Sequence, residues 1–168
     1  MGSFYKQSAV PKVRVMESNV VRTEAGSIER QCATCSRWNR IPPKHLAHTG
    51  KCGSCSAVLA PLAVPLEVDP MTFDAVAREA TVPVLVDFWA AWCGPCRQVA
   101  PEVQRTAREM NGQAVVLKVD VDRYPDLGAR YGVSGIPNFV VLKHGRATAQ
   151  RAGAMPAAEL AKLLATAR

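Results

Sequence analysis

Six cysteines in 168 residues fall into three Cys-x-x-Cys pairs: Cys32/Cys35, Cys52/Cys55 and Cys93/Cys96. Secreted disulfide frameworks rarely pair their cysteines so regularly, whereas metal sites and dithiol redox sites use this spacing. The pattern therefore points to a reducing compartment, where free thiols and metal-bound thiolates persist. The cytoplasm is the expected location. No apolar run follows a basic start in residues 1–31, and the longest apolar stretch, around Val82 to Trp92, contains Asp87 and is too short to span a bilayer. No membrane partner is expected.

The first two pairs read Cys-x2-Cys-x16-Cys-x2-Cys. Two tight turns can each offer two thiolates to one tetrahedral ion, so Cys32, Cys35, Cys52 and Cys55 are the expected ligands of a zinc. Four ligands leave no open position, which makes the zinc structural. Pro42, Pro43 and Gly50 between the pairs rule out a long helix or strand. So short a module has little core of its own, and the metal supplies most of its folding energy. The alternatives are two structural disulfides, two further redox pairs, or iron. His45 and His48 read as surface residues. Residues 1–60 carry nine Lys/Arg against three Asp/Glu, and residues 61–168 carry twelve against eleven, so the net charge of +7 sits mainly in the N-terminal part. Trp38 with Arg37, Arg40, Lys44 and Lys51 reads as a solvated basic face around one packing tryptophan. One tryptophan is a poor stacking platform, so no nucleic-acid partner is expected.

The pattern divides the chain into a weakly structured segment 1–31 (with a short extended piece around Val10, Val13 and Val15), a metal module 32–56, a Pro/Ala-rich linker 57–65 and a larger domain 66–168. In that domain Leu66–Val68 is a short strand, and Asp69 or Thr72 caps a helix to about Ala80. Val84–Trp89 is a dense apolar run, as in a strand buried on both faces. A helix from Cys93 to Met110 is interrupted by Pro101. A strand 114–121 and a short helix 124–131 follow, then a hairpin of 138–143 and 146–153 around His144-Gly145, and a last helix after Pro156. The order βαβαβαββα makes an α/β fold: a mixed central sheet with helices on both faces.

Trp92-Cys93-Gly94-Pro95-Cys96 follows the buried strand and opens a helix. Cys93 at the helix N-terminus meets unpaired backbone N–H groups and the positive end of the dipole, which favour its thiolate. Cys96 lies nearly one turn further on, within reach of a disulfide. The loop should leave Cys93 the more exposed, so Cys93 attacks and Cys96 resolves. Asp87, inside the apolar strand, should have a raised pKa and suits removal of the Cys96 proton; the plainer reading is a core aspartate with a structural role only.

These residues resemble the thioredoxin family over roughly residues 64–168. Trp92-Cys93-Gly94-Pro95-Cys96 is identical to the family's active-site motif, and Val86-Asp87-Phe88-Trp89-Ala90 matches the strand before it. Pro101, Gly135-Ile136-Pro137, Gly145 and Gly153 also match. The resemblance implies a protein-disulfide reductase recharged from NADPH through a flavin-dependent reductase and acting on disulfide-containing client proteins. The resemblance implies no tightly bound redox cofactor. The resemblance also implies a cis Pro137 beside the cysteines, an Ile136 backbone that pairs with substrate, and Trp92, Gly94 and Pro95 at the binding surface. Gly94-Pro95 between the cysteines resembles reducing rather than oxidising relatives. Asn138 and Ala91 depart from common family residues. Bacterial thioredoxins with an N-terminal zinc module are similar at Asn39-Arg40-Ile41-Pro42. A monomer is the expected state. The competing function is a zinc-dependent binding or redox-sensing module in which catalysis is secondary.

Overall fold

A computed structural model describes residues 20–167; the extended piece expected around residues 10–15 lies outside them. Ten strands and four α-helices follow one another: β1 (Val21–Glu24), β2 (Ser27–Gln31), β3 (Trp38–Arg40), a 3-10 turn (Pro43–His45), β4 (Gly50–Lys51), β5 (Val58–Leu59), β6 (Leu66–Glu67), α1 (Pro70–Glu79), β7 (Val84–Trp89), α2 (Gly94–Glu109), β8 (Val115–Asp120), α3 (Pro125–Arg130), β9 (Asn138–Lys143), β10 (Arg146–Ala152) and α4 (Ala157–Ala165).

The main sheet has the order β10-β9-β7-β8-β6. Strands β6, β8 and β7 run parallel, and β9 and β10 add antiparallel pairing. The expected mixed sheet is therefore present. Alternation along β7 sends Val84, Val86 and Phe88 into one core with Phe73 and Val76 of α1 and Leu127 of α3. Leu85 goes to the other face, with Val99 and Val103 of α2 and Leu160 and Leu164 of α4. Helix α2 runs through Pro101 as one element, and proline's missing N–H removes one bond of its ladder. His144 and Gly145 both have positive φ, 49° and 76°, and turn β9 into β10.

Two expectations need correction. Residues 21–31 are not weakly structured: β1 and β2 form a hairpin that continues into β3. Its turn uses Ala25 and Gly26 at φ 46° and 80°. Alanine rarely adopts that conformation, and here the N–H of Ala25 donates to Asp69 Oδ2 at 2.9 Å while that of Gly26 donates to Thr72 Oγ1 at 3.1 Å. The hairpin is thus stabilised by the first turn of α1. Nor is 57–65 only a linker. Strand β5 pairs with β4, Leu59 is buried against the Cys32/Cys52 cluster, and Leu62 joins Ile28 and Leu46 in the core of the main sheet. Burial of these apolar side chains holds the N-terminal part onto β6 and α1.

Candidate functional site: a dithiol pair and a four-cysteine cluster

Strand β7 ends at Trp89, and three residues later the chain enters α2. Cys93 is the N-cap of that helix and accepts the N–H of Cys96 on its Sγ at 3.2 Å. Its sulfur thus faces the open, positive end of a helix sixteen residues long, where a thiolate is favoured. Cys93 and Cys96 are joined as a disulfide with Cα atoms 5.2 Å apart. Here a correction is due: in the disulfide both residues are buried, Cys93 3% exposed and Cys96 5%. The asymmetry between them lies in position at the helix end, not in exposure.

Around the pair stand Ala90, Trp89, Val121 and Ile136. The Ile136–Pro137 peptide is cis. Trp92, 67% exposed, donates its Nε1–H to Asp122 Oδ2 at 2.8 Å. Trp92 and Ile136 flank an apolar groove of about 420 Å³ together with Val121, Pro125 and Val133. Gly94 and Pro95 form the first turn of α2. Arg97 reaches back to the Ala91 carbonyl at 2.9 Å. The Asp122 contact has no signal in the sequence, because it joins residues that only the fold brings together.

Asp87 is 2% exposed, and its Oδ1 has no hydrogen-bond partner among the described residues. Burial pushes its carboxyl up to about 7, and the positive charge of Lys118 opposes that rise. A carboxyl that gains and loses its proton near neutral pH can exchange protons with a thiol. Lys118 stands next to Asp87 in register on β8. Sequence reasoning missed it because an alternating strand often carries one lysine.

In the N-terminal part, Cys32, Cys35, Cys52 and Cys55 bring their sulfurs within 4.8 Å of one another. Cys32 and Cys55 are 3.7 Å apart, as are Cys35 and Cys52. Disulfide sulfurs sit about 2.05 Å apart, so these cysteines are free. Four thiolates held about 2.3 Å from a single ion lie about 3.8 Å from each other at the corners of a tetrahedron. The donor set therefore fits a metal ion. The two halves are built alike. Ser36 N–H bonds to the Cys32 carbonyl and Ser56 N–H to that of Cys52, and both serines have left-handed φ, 58° and 59°. The duplicated Cys-x-x-Cys-Ser, at Cys32–Ser36 and Cys52–Ser56, is the sequence signal for this likeness. Backbone N–H groups of Cys35 and Thr34 hold the Cys32 thiol below the ordinary range, and those of Cys55 and Ser54 bring Cys52 to about 6. Both shifts favour a thiolate, whereas Cys55 is pushed up to about 12: the Ala57 backbone N–H lowers it, and the Cys35, Cys32 and Cys52 sulfurs together with burial raise it by more. His45 and His48 lie outside the cluster, their rings against each other at 5.8 Å. Trp38 has one face covered by the Arg22 guanidinium at 4.2 Å.

The family model described as Thioredoxin matches residues 64–166. Thioredoxin C-3 of Corynebacterium nephridii is 36% identical over 133 residues, 79% of this chain and 90% of that protein. That likeness is longer than the matched family span, so it runs into the residues before 64. Thioredoxin 1 of Chlorobaculum tepidum is 46% identical over 85 residues, 51% of this chain and 84% of the relative. Among solved structures, a mutant thioredoxin from Halobacterium salinarum NRC-1 superimposes with a TM-score of 0.60 at 33% identity, covering 65% of this chain and 95% of that one.

Proposed function

The chain belongs to the thioredoxin family and is a thiol–disulfide oxidoreductase, and from that premise we propose that it reduces client disulfides with Cys93 as nucleophile and Cys96 as resolving thiol. The observation that carries this reading is a Cys93–Cys96 bridge whose first sulfur caps a helix N-terminus. The Cys93 thiolate attacks one sulfur of the client disulfide. The other client sulfur leaves as a thiolate, and a mixed disulfide forms. Cys96 then gives its proton to the Asp87 carboxylate, directly or through one water, and attacks Cys93 Sγ. The second client thiolate departs and the Cys93–Cys96 disulfide is restored. Two electrons have passed to the client. Thioredoxins are returned to the dithiol by a thioredoxin reductase; here a flavin enzyme using NADPH fills that role in the cytoplasm.

The client segment binds in the groove beside Trp92, with the Ile136 backbone ahead of Pro137 pairing with it and Gly94-Pro95 forming the floor next to the sulfur. The four-cysteine cluster holds zinc through Cys32, Cys35, Cys52 and Cys55. All four positions are filled by protein, so the ion supplies folding energy and no step of the exchange. The protein acts as a monomer.

An insulin-precipitation assay with NADPH and a flavin-dependent thioredoxin reductase tests the mechanism. The unaltered chain precipitates insulin, Cys93→Ser does not, and Cys96→Ser accumulates as a mixed disulfide visible by mass. Undiminished precipitation by Cys93→Ser contradicts the assignment.

A further inference from the structure

Three adjacent strands carry a row of charge across the sheet. Glu67 on β6 is in register with Lys118 on β8, and Lys118 with Asp87 on β7. Their strand neighbours Leu66, Leu117, Val86 and Phe88 point into the core shared with α1. By alternation the three charged residues stand on the opposite face, the one covered by α2. Burial deepens along the row: the Glu67 side chain is 65% exposed and that of Lys118 20%, while Asp87 is sealed. Lys118 Nζ lies 3.2 Å from Glu67 Oε1 and 4.0 Å from the centre of the Trp89 ring. One ammonium thus stands between a surface carboxylate and a buried one.

The outer end of this row is set by the N-terminal hairpin. Strand β6 is two residues long and forms the sheet edge. The Thr23 hydroxyl of β1 donates to the Glu67 carbonyl. Two residues beyond Glu67, Asp69 receives the N–H of Ala25 from the same hairpin. The cavity of about 330 Å³ around Lys118 is also lined by Glu24, Asp69, Asp120 and Arg123. Asp69 caps α1, Asp120 accepts the Asp122 N–H, and Arg123 lies over Tyr124. Glu67 is the carboxylate within salt-bridge distance of Lys118. On its other sides, among the described residues, β9 opposes Asp87 with Phe139, and the buried side chains of α2 are the uncharged Cys96, Val99, Val103, Thr106 and Ala107.

We propose that Glu67 is a positioning residue for the exchange reaction: it draws the Lys118 ammonium toward the sheet edge, and the N-terminal hairpin, by fixing β6, sets how much of that charge reaches Asp87. The proposal rests on Asp87 as acceptor of the Cys96 proton, and it gives the N-terminal part a role in the acid–base step. With Glu67 neutral, the ammonium acts on Asp87 alone, and a repelling negative charge is also gone. Both changes favour the Asp87 carboxylate, so its pKa falls.

The test is a carbon-13 carboxyl titration of Asp87 by NMR in the oxidised, full-length protein. Glu67→Gln lowers the Asp87 midpoint by a few tenths of a pH unit, the scale set by a partly exposed ion pair. In a Lys118→Gln background most of that shift disappears, because the ammonium carries the coupling. Thr23→Val, which cuts the hairpin's bond to β6, moves the midpoint in the same direction by less. The pH profile of insulin reduction moves downward with Glu67→Gln in step with the titration. An unmoved midpoint in Glu67→Gln, or an equal shift with and without Lys118, overturns the proposal, and an unmoved midpoint in Thr23→Val overturns the hairpin's part. The titration needs neither client nor reductase. Its failure leaves the reductase reading standing, and that reading fails separately if the unaltered chain does not precipitate insulin.

Discussion

Asp87 sits where a hydrophobic side chain of similar size would be more stable, and its cost to the fold depends on pH. In the unfolded chain an aspartate loses its proton near 3.8, whereas in the folded chain burial holds the proton until about 7. Between these values the unfolded state binds fewer protons, so stability falls as pH rises and levels off above the folded value. A gap of this size corresponds to about 4 kcal/mol at most. Asp87→Asn keeps the volume and removes the charge. Its unfolding free energy should exceed that of the parent at pH 8 by up to about that amount and match it near pH 4, while insulin reduction slows. Chemical denaturation at the two pH values checks this, and an equal difference at both contradicts the burial account.

At the scale of elements, the strand–helix junction was legible and the N-terminal elements were not. A dense apolar run ending at Trp89, then Cys93-Gly94-Pro95-Cys96, leaves few alternatives to a buried strand feeding a helix. The β1–β2 hairpin was hidden for a physical reason. Its turn is Ala25-Gly26 where Asn-Gly or Asp-Gly is the usual signal, and the bonds that hold it come from Asp69 and Thr72, more than forty residues away. Strand β5 was hidden because it is two residues long and its partner β4 is no longer. Such short pairs hold their place through tertiary contacts rather than through propensity. The zinc proposed for the four-cysteine cluster would tie the same elements together, so its removal acts first on them. With a chelator, or in Cys52→Ser, amide protection should be lost across β3 to β5, while β7, β8 and β9 stay protected. Hydrogen exchange read by mass spectrometry measures this, and unchanged protection in β3 to β5 after the metal is stripped contradicts a folding role for the cluster.

The whole molecule joins a small basic part to a nearly neutral catalytic one, and the two share apolar contacts through Ile28, Leu46 and Leu62. Among the described residues no helix is long and apolar enough to cross a membrane. Everything the catalytic part does depends on which sulfur is the stronger nucleophile at neutral pH. The deciding measurement is the rate of alkylation of Cys93 and Cys96 in the reduced full chain against pH, each site followed by peptide mass. The account predicts that Cys93 reacts first and titrates well below the ordinary thiol value of about 8.5, with Cys96 far slower across the range. A Cys93 that titrates like a free thiol, or a Cys96 that reacts ahead of it, contradicts the account.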